Sequence, residues 1–220
     1  MILKGLSPGW VPEWSEDKKE VKSQSPQHSA NCILAGQILI VPTDTVYGLC
    51  CKYNDISLLY RVSEIKRRPA DQPFQLLLAS PAYAERFALD IPEVARHLID
   101  RFWPGGMTLL LRARPGLPDP LVGPSGTVGL RVPDMEDLQK MIELAGGGIA
   151  ATSANLSGGR DPHSVEEIPA AIREAVGFVW DIGPLAPKPA STIIDCCGEQ
   201  PRIVRQGTLS IEVLQPYLAP

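Results

Sequence analysis

GIAATSANLSG, residues 148–158, is the stretch that decides the fold and points to the site. Small residues at 146–148 permit a tight turn, and the apolar run that follows predicts a buried strand. Hydroxyl and amide groups come directly after it, at Thr152, Ser153 and Asn155. Ligands of open α/β sheets bind at the carboxyl ends of strands, but the same residues also suit a polar turn that caps a helix. This stretch alone leaves both interpretations open.

Length and charge restrict the class of protein. The chain has 220 residues, 44% of them hydrophobic, which suffices for one large domain or for a domain with a tail. Its net charge of −4 argues against a surface coated in basic charge for nucleic acid, although a local basic patch is compatible with it. No apolar run approaches the ~20 residues of a membrane span, and the N-terminus lacks the order of a signal peptide. We therefore expect a cytoplasmic protein without a membrane partner.

The five cysteines predict buried thiols in a reducing compartment. Four of them form the adjacent pairs Cys50-Cys51 and Cys196-Cys197, and neighbouring cysteines rarely satisfy disulfide geometry. The histidines, His28, His97 and His163, show no ligand spacing to each other or to cysteine. The sequence therefore predicts no metal site built from protein side chains.

Predicted strands and helices alternate along most of the chain, which indicates an α/β fold. Residues 1–30 show no sustained period and are predicted to form an N-terminal arm, docked through Trp10 and Trp14, ahead of a folded domain at 31–220. Strands are predicted at 36–41, 74–79, 107–112, 127–133, from 148, and at 178–181, 191–195 and 203–207. Helices are predicted at 55–66, 81–88, 92–102, 134–144, 164–175 and 208–220, the fifth with a capping box at Ser164 and Glu167. Residues 113–126 form a long loop of the kind that often serves function.

Cations stand at predicted element ends, where each has a structural and a functional interpretation. Lys66 and Arg68 close the helix at 55–66, where cations suit the macrodipole, but they could also grip a polyphosphate. Arg131 lies within an apolar strand and needs a partner, either a fixed acid or an anionic ligand. Residues 43–45 are either ligand groups or a polar turn closed by Gly48.

Together these groups suit a ligand that carries a phosphate chain and a carboxylate. The cations are Lys66, Arg68, Arg131 and Arg205, and the small polar groups are Thr45, Thr127, Thr152, Ser153, Asn155 and Ser191. Phosphate-binding loops of the Gly-x-x-x-x-Gly-Lys type, dinucleotide fingerprints and nucleophile elbows are missing from the sequence. The predicted catalysis is positioning and charge stabilisation, as in nucleotidyl transfer, with Mg²⁺ held mainly by the phosphates.

Seven stretches, in this order, make the chain resemble the YrdC-like family of threonylcarbamoyl-AMP synthases in its short, single-domain form. They are PTDTVYGL (42–49), IKRRP (65–69), FWPGGMTLLL (102–111), TVGLRVP (127–133), GIAATSANLSG (148–158), STIID (191–195) and IVRQG (203–207). They cover roughly residues 33–210. The resemblance implies a twisted, largely parallel mixed α/β sheet with flanking helices around a deep electropositive cavity, the YrdC/RibB-like fold, as the catalytic domain at 31–220.

The resemblance also implies a reaction. Family members join L-threonine, bicarbonate or CO₂, and ATP into L-threonylcarbamoyl-AMP and release pyrophosphate. This nucleotidyl transfer is the first step toward N6-threonylcarbamoyladenosine in tRNA. The implied substrates are ATP, with Mg²⁺, L-threonine and bicarbonate, and the implied partner is the downstream tRNA threonylcarbamoyl transferase complex, with tRNA or double-stranded RNA as a further candidate.

Site residues are carried over by motif. Lys66, Arg68 and Arg131 would be catalytic. L-threonine would be held by Thr45, Arg131, Thr152 and Ser191. ATP would be held by Lys66, Arg68, Gln72, Thr127, Ser153, Asn155 and Arg205.

Four departures from the family pattern keep two alternatives open. Leu77 stands where many members have a histidine that contacts threonine, Gln72 replaces a commoner Asn, Thr152 replaces a frequent Pro, and residues 106–107 replace the usual Pro-Leu. One alternative is a binding module for double-stranded RNA or nucleotides, which the acidic net charge disfavours. The other is a paralogue that lost the activity or uses a different acceptor. Retention of the Lys66 and Ser153 motifs favours the synthase, but Leu77 leaves this alternative open.

Overall fold

One mixed sheet organises residues 25–69 and 72–218, the part of the chain that the computed structural model describes. Within these ranges the strand order is β7-β1-β2-β6-β3-β5-β4-β8-β9. The strands are β1 (Leu39–Val41), β2 (Gly48–Cys51), β3 (Gln75–Leu78), β4 (Met107–Arg112), β5 (Thr127–Arg131), β6 (Gly148–Ser153), β7 (Phe178–Val179), β8 (Thr192–Asp195) and β9 (Arg202–Arg205). The helices are α1 (Pro26–Leu34), α2 (Ile56–Lys66), α3 (Ala84–Phe87), α4 (Glu93–Phe102), α5 (Glu136–Leu144), α6 (Ala170–Arg173) and α7 (Ile211–Leu218). No helix in these ranges has the length and apolarity needed to cross a lipid bilayer.

The α/β class and the mixed sheet are confirmed, but the parallel share of the sheet is smaller than expected. Parallel neighbours are β1–β7, β3–β5 and β4–β8. The other neighbours, β1–β2, β2–β6, β3–β6, β4–β5 and β8–β9, are antiparallel. A parallel pair needs a long crossover, whereas a short connection returns the chain antiparallel. Residues 42–47 are such a short connection between β1 and β2.

Helix α2 delivers two cations to the site. Asp55 caps its N-terminus, because its carboxylate accepts hydrogen bonds from the backbone N–H groups of Ser57 and Leu58 at 3.1 and 3.2 Å. The helix ends at Arg67, which adopts the left-handed conformation with φ 52°. After this turn of the backbone, Lys66 contacts the 153–161 loop and Arg68 contacts Thr152 at the end of β6.

The two faces of the sheet are covered differently. Alternate side chains of β5 point to opposite faces of the sheet. Val128 and Leu130 enter the larger core, which lies under α2, α3, α4, α6 and α7. Gly129 and Arg131 lie on the second face. On that second face, α1 and α5 bury a smaller core that contains Leu77. The rest of the second face is open and forms the floor of a cavity.

Three predictions of local structure are corrected. Helix α1 begins at Pro26, capped by Ser25, so the last residues of the predicted arm belong to the folded domain, while Trp10 and Trp14 lie outside the described residues. Residues 48–51 form strand β2, where the sequence predicted no strand. The predicted helix at 164–175 is reduced to α6, since Pro169 would break its interior.

Burial also corrects the cysteine prediction in two places. Cys50, Cys51 and Cys196 are buried as predicted, whereas Cys32 is partly buried and Cys197 is exposed. Burial raises the pKa of Cys51 and of Cys196 to about 12, so these thiols stay protonated at neutral pH and are poor nucleophiles.

Candidate active site

A cavity of about 480 Å³ lies on the open half of the second sheet face. Its floor comes from strands β3, β4, β5, β6 and β8, and its walls from the segment after α2 and from the loop at 153–161. Four cations line it, together with one carboxylate, Asp161. A larger depression, of about 630 Å³, lies between α4 and α7 and is lined by three carboxylates, Glu93, Asp100 and Glu199. The cationic cavity is therefore the candidate site for an anionic ligand.

The structure brings ten of the eleven predicted site residues into this cavity. They are Thr45, Lys66, Arg68, Gln72, Arg131, Thr152, Ser153, Asn155, Ser191 and Arg205. Thr127 is not among the lining residues. It opens β5, and its backbone oxygen accepts a hydrogen bond from the N–H of Gly123 at 2.7 Å, so the end of the 113–126 loop lies against it.

Lys66 holds the loop that begins at Ser153. Its ammonium donates to the backbone oxygens of Ser153 and Asn155, the latter at 2.6 Å, and to Asn155 Oδ1 at 2.9 Å. These are three acceptors for the three N–H groups of an ammonium. Burial, and secondarily the nearby charge of Arg68, lower the pKa of Lys66 to about 7, while the charge of Asp161 acts in the opposite direction.

The side chains of the 153–161 loop bind one another, and no helix starts there. Ser153 Oγ donates to Asn155 Oδ1 at 2.7 Å, and Asn155 Nδ2 donates to the backbone oxygen of Gly159 at 2.7 Å. The next helix is α6, which begins at Ala170. The helix-cap interpretation of this stretch is therefore wrong, and the interpretation as a cavity loop is the one that the fold supports.

Arg68 spans the other wall of the cavity. It donates to Thr152 Oγ1 at 2.8 Å and to the backbone oxygens of Gln72 and Pro73 at 3.0 and 2.7 Å. Its guanidinium also lies over the ring of Phe74, 5.1 Å from the ring centroid. Thr152, a residue expected at the threonine end, is thus a direct neighbour of Arg68.

Arg131 has both a fixed acid and room for a ligand. Its guanidinium donates to Asp44 Oδ1 at 2.6 Å, to Thr45 Oγ1 at 3.0 Å and to the backbone oxygen of Gly105 at 3.0 Å. Burial lowers the pKa of Arg131, and the Asp44 carboxylate opposes that shift. A guanidinium carries five N–H groups, so these three bonds use only part of its donors, and Arg131 lines the cavity.

Residues 43–45 combine the two functions that the sequence left open. Thr43 Oγ1 accepts from the N–H groups of Thr45 and Val46 at 3.1 Å, which makes the segment a polar turn. Thr45 nevertheless lines the cavity and contacts Arg131.

Ser191 and Arg205 line the far side of the cavity. Arg205 donates to the backbone oxygen of Ser191 at 2.9 Å. The Ser191 hydroxyl lies 2.8 Å from Thr108 Oγ1, and Thr108 donates to Gln75 Oε1 at 3.1 Å. A chain of polar groups therefore crosses the floor from β8 to β3.

Sequence reasoning missed four polar residues that line this cavity: Gln75, Thr108, Ser157 and Asp161. Thr108 and Ser157 lie inside quoted motifs, which was a usable signal. Leu77, by contrast, is buried in the smaller core and does not line the cavity. It pairs with Arg131 across β3 and β5, so an apolar side chain flanks the base of that arginine.

Among the residues that the structure describes, no cluster of three or more His, Cys, Asp and Glu could hold a metal ion. Asp161 is the only carboxylate among the cavity-lining residues, and its neighbour Asn155 donates to it at 3.4 Å. This donor set fits a cation that arrives on phosphate oxygens and takes at most one carboxylate from the protein.

Comparison with known proteins identifies relatives over most of the chain. The Sua5/YciO/YrdC family model, described as telomere recombination, matches residues 31–207. The threonylcarbamoyl-AMP synthase of Pyrococcus abyssi is 36% identical over 190 residues, which are 86% of this chain and 56% of that protein. A Mycobacterium tuberculosis protein, provisionally named as such a synthase, is 34% identical over 199 residues, covering 90% of this chain and 91% of its own length.

Solved structures agree in fold. The crystal structure of P. abyssi Sua5 complexed with L-threonine matches with a TM-score of 0.82 and 35% identity, covering 88% of this chain and 57% of that one. The chain thus spans little more than half the length of the P. abyssi protein and nearly all of the mycobacterial one.

Proposed function

The chain belongs to the Sua5/YciO/YrdC family, and from this membership we propose that it is an L-threonylcarbamoyl-AMP synthase. It would join L-threonine, bicarbonate or CO₂, and ATP, and release pyrophosphate. The observation that carries the proposal is the imbalance of charge in the cavity, where Lys66, Arg68, Arg131 and Arg205 face one carboxylate, Asp161. Two anions, a carbamate and a triphosphate, must approach each other in this reaction, and fixed cations lower that barrier.

The amino acid would bind at the Arg131 end. The remaining N–H groups of Arg131 suit the oxygens of a carboxylate, and the hydroxyls of Thr45 and Ser191 lie beside them on the cavity lining. The threonine amine, once deprotonated, adds to CO₂ and gives a carbamate. Thr152 would contribute from the Arg68 side, because its hydroxyl accepts a hydrogen bond from that guanidinium.

ATP would bind at the opposite end. Lys66 and Arg68 supply positive charge for the phosphates there, and Arg205 supplies it from the Ser191 side of the cavity. Ser153, Asn155 and Gln72 supply neutral polar groups. A carbamate oxygen attacks the α-phosphorus, the bond to the β-phosphate oxygen breaks, and pyrophosphate leaves. Thr127 would act indirectly, since it opens β5 and is not among the residues that line the cavity.

Mg²⁺ would accompany the triphosphate and neutralise part of its charge. Asp161 is the residue that would reach it, either directly or through a water molecule. The protein's own contribution to the reaction is to bind and orient the two anions and to offset their mutual repulsion with fixed positive charge.

The product is an activated acyl-adenylate that needs an acceptor. We propose that a tRNA threonylcarbamoyl transferase complex in the cytoplasm consumes it and modifies tRNA. Direct binding of tRNA or double-stranded RNA to this chain is not required for that transfer.

The test is a reaction with ATP, Mg²⁺, bicarbonate and L-threonine, in which pyrophosphate and the adenylate are both measured. L-valine, which matches threonine in shape but lacks its hydroxyl, is the matched control substrate. We expect pyrophosphate release that requires threonine and bicarbonate. Release that is independent of threonine would contradict the proposal.

A further inference from the structure

Residues 181–190 form a strap that crosses the width of the sheet between β7 and β8. Six strands separate β7 from β8 in the strand order, and strand spacings of about 4.8 Å add up to about 34 Å along the sheet. The residues between the two strands, 180–191, reach at most about 43 Å when fully extended. The connection therefore has little slack. The structure describes all of it and places neither helix nor strand there, and its prolines, Pro184, Pro187 and Pro189, favour an extended chain.

The strap passes over the face of the sheet that carries the cavity. Strands β7 and β8 run in the same direction, because β7 is parallel to β1, β8 is parallel to β4, and an even number of antiparallel pairings separates β1 from β4. A connection between such strands returns over one face of the sheet. The last residue of the strap, Ala190, lines the cavity. Its middle binds His163, two residues after the cavity-lining Asp161.

Tyr47 holds the first part of the strap. Its hydroxyl donates to the backbone oxygen of Gly183 at 2.7 Å and accepts from the N–H of Ile182 at 3.2 Å. The backbone of Tyr47 also holds both ends of the 153–161 loop, since it accepts from the N–H of Ala154 and donates to the oxygen of Pro162, both at 2.9 Å. Burial raises the pKa of Tyr47 to about 12, so its hydroxyl keeps the proton at neutral pH. The strap and the loop therefore share this anchor.

His163 holds the middle of the strap. Its backbone oxygen accepts from the N–H of Leu185 at 2.7 Å, and its Nε2 lies 2.8 Å from the backbone oxygen of Lys188. The Lys188 nitrogen is more distant, at 3.3 Å, and a carbonyl oxygen can only accept, so Nε2 is the donor in the shorter contact. Glu167 fixes the histidine by accepting from its backbone N–H at 2.6 Å. The imidazole thus joins the strap to the segment that follows the 153–161 loop.

Core packing does not explain the strap. Its residues at 184 and 186–189 are exposed, and Leu185 between them is only partly buried against the larger core. The end at Ala190 is fixed independently of His163, because the Ala190 backbone oxygen accepts from the N–H of Thr208 at 3.1 Å. His163 therefore acts on the middle of the strap, beside the 153–161 loop, and not on the end that leads to Ser191.

The cavity is small for two substrates. Its volume of about 480 Å³ lies in the lower part of the range for one drug-sized ligand, yet the proposed reaction brings an amino acid and a nucleotide together. With its phosphates at Lys66 and Arg68, the nucleotide extends along the 153–161 loop, where Gly158 and Asp161 line the cavity. This is the side on which His163 holds the strap.

We propose that the strap is the outer wall of the nucleotide site and that His163 is the positioning residue that holds this wall against ATP. The inference rests on the proposed function and concerns residues outside the motifs from which that function was first predicted. A nucleotide that extends beyond the phosphate cations contacts the strap, whereas pyrophosphate needs only those cations. The two ligands therefore report separately on the strap and on the 153–161 loop.

Calorimetric titration of His163→Ala with a non-hydrolysable ATP analogue and with pyrophosphate tests the proposal. We expect the dissociation constant of the analogue to rise about fivefold to tenfold, the equivalent of one hydrogen bond, while that of pyrophosphate stays within about twofold. His163→Gln should restore the affinity for the analogue, because its amide nitrogen can donate in place of Nε2. His97→Ala, at an exposed position of α4, is the matched control. In turnover, KM for ATP should rise while kcat and KM for threonine stay unchanged.

A second variant loosens the strap without altering His163. Replacing two exposed prolines together, Pro187→Gly and Pro189→Gly, makes the chain more flexible and should also weaken binding of the analogue but not of pyrophosphate. Unchanged affinity for the analogue would overturn the proposal. An equal loss for both ligands would also overturn it, because His163 would then act through the 153–161 loop. A wild-type protein without threonine-dependent pyrophosphate release would contradict the proposed function instead, and the two affinities would still decide the role of the strap.

Discussion

The two ends of the cavity hold their cations by different means. At one end, the Arg131 guanidinium forms an ion pair with Asp44 at 2.6 Å, and both side chains are largely buried. At the other end, Lys66 and Arg68 bind neutral acceptors, namely backbone oxygens and the side-chain oxygens of Asn155 and Thr152. The first end is ordered by a fixed negative charge, whereas the second is ordered without one.

The difference matches the charges of the proposed ligands. Asp44 cancels the charge of Arg131, so that end has little net charge and suits an amino acid, whose own charges also cancel. Lys66 and Arg68 line the other end with a single carboxylate, Asp161, so that end keeps a net positive charge for a polyphosphate, and Arg205 adds to it from beside Ser191. Neutral carbonyl groups fix the geometry of a cation without consuming its charge.

The largest effect expected from this comparison is that of Lys66→Ala. The substitution removes a phosphate-side charge and leaves the carbonyl oxygens of residues 153 and 155 without their donor. Losing one electrostatic stabiliser of a transition state costs on the order of 10²- to 10³-fold in kcat, and we expect the upper value, measured as pyrophosphate release. Lys140→Ala, at an exposed position of α5, is the control. Full activity of Lys66→Ala would remove the distinction between the two ends.

Asp44→Ala should act mainly on stability. Arg131 would stay buried with an unpaired charge, and breaking a buried pair in this way costs about 3 to 5 kcal/mol of unfolding free energy. Urea titration measures the loss, and Asp137→Ala, exposed on α5, is the control. Pyrophosphate affinity should not change. If Asp44→Ala unfolded at the same urea concentration as wild type, Asp44 would not order this end.

Local patterns predicted what depends on local contacts. The apolar run at 107–112 became β4 with the expected bounds, and the predicted helix at 55–66 became α2, which Asp55 caps. The ion pair between Asp44 and Arg131 joins residues 87 positions apart. The hydrophobic periodicity of a single segment cannot predict this ion pair, because the pair depends on how β1 and β5 are arranged in the sheet.

The site followed the same rule. The polar groups at strand ends were found one by one, since the carboxyl end of a strand is a local feature. The sequence did not show which of these groups face each other in the fold. Thr152 was therefore expected at the threonine end, but it lies beside Arg68. The burial of Leu77 likewise depends on the helices α1 and α5, which pack over it.

Asp161→Asn should sharpen the comparison with a smaller effect. The substitution removes the negative charge that faces Lys66 and Arg205 and keeps the shape of the side chain. Without Mg²⁺, pyrophosphate should bind roughly fivefold more tightly, which corresponds to about 1 kcal/mol for a solvated charge at close range. With Mg²⁺ the gain should shrink or reverse, because the carboxylate is then missing from the cation. If calorimetric titration gave wild type and Asp161→Asn the same pyrophosphate affinity, both with and without Mg²⁺, Asp161 would not belong to the phosphate end.

A further predicted effect is a dependence of stability on pH that belongs to Lys66. Folded Lys66 loses its proton above about pH 7, whereas the ordinary value for lysine is 10.5. Between these values the unfolded chain binds more protons than the folded one, so the unfolding free energy contributed by this residue rises with pH. The rise of unfolding free energy with pH that Lys66 contributes should be present in wild type and absent from Lys66→Ala. The difference between the unfolding free energies of the two proteins, measured by urea titration at each pH, gives this contribution.

The same titration distinguishes the two ends of the cavity by function. A lysine that loses its proton above about pH 7 weakens its attraction for phosphate, whereas a guanidinium stays charged throughout. Pyrophosphate affinity, taken as the ratio of wild type to Lys66→Ala, should therefore fall as pH rises from about 6 to about 9. The ratio removes the titration of pyrophosphate itself, because both proteins bind the same ligand. A ratio that is constant over this range would mean that the ammonium of Lys66 orders the 153–161 loop and contributes no charge to phosphate binding.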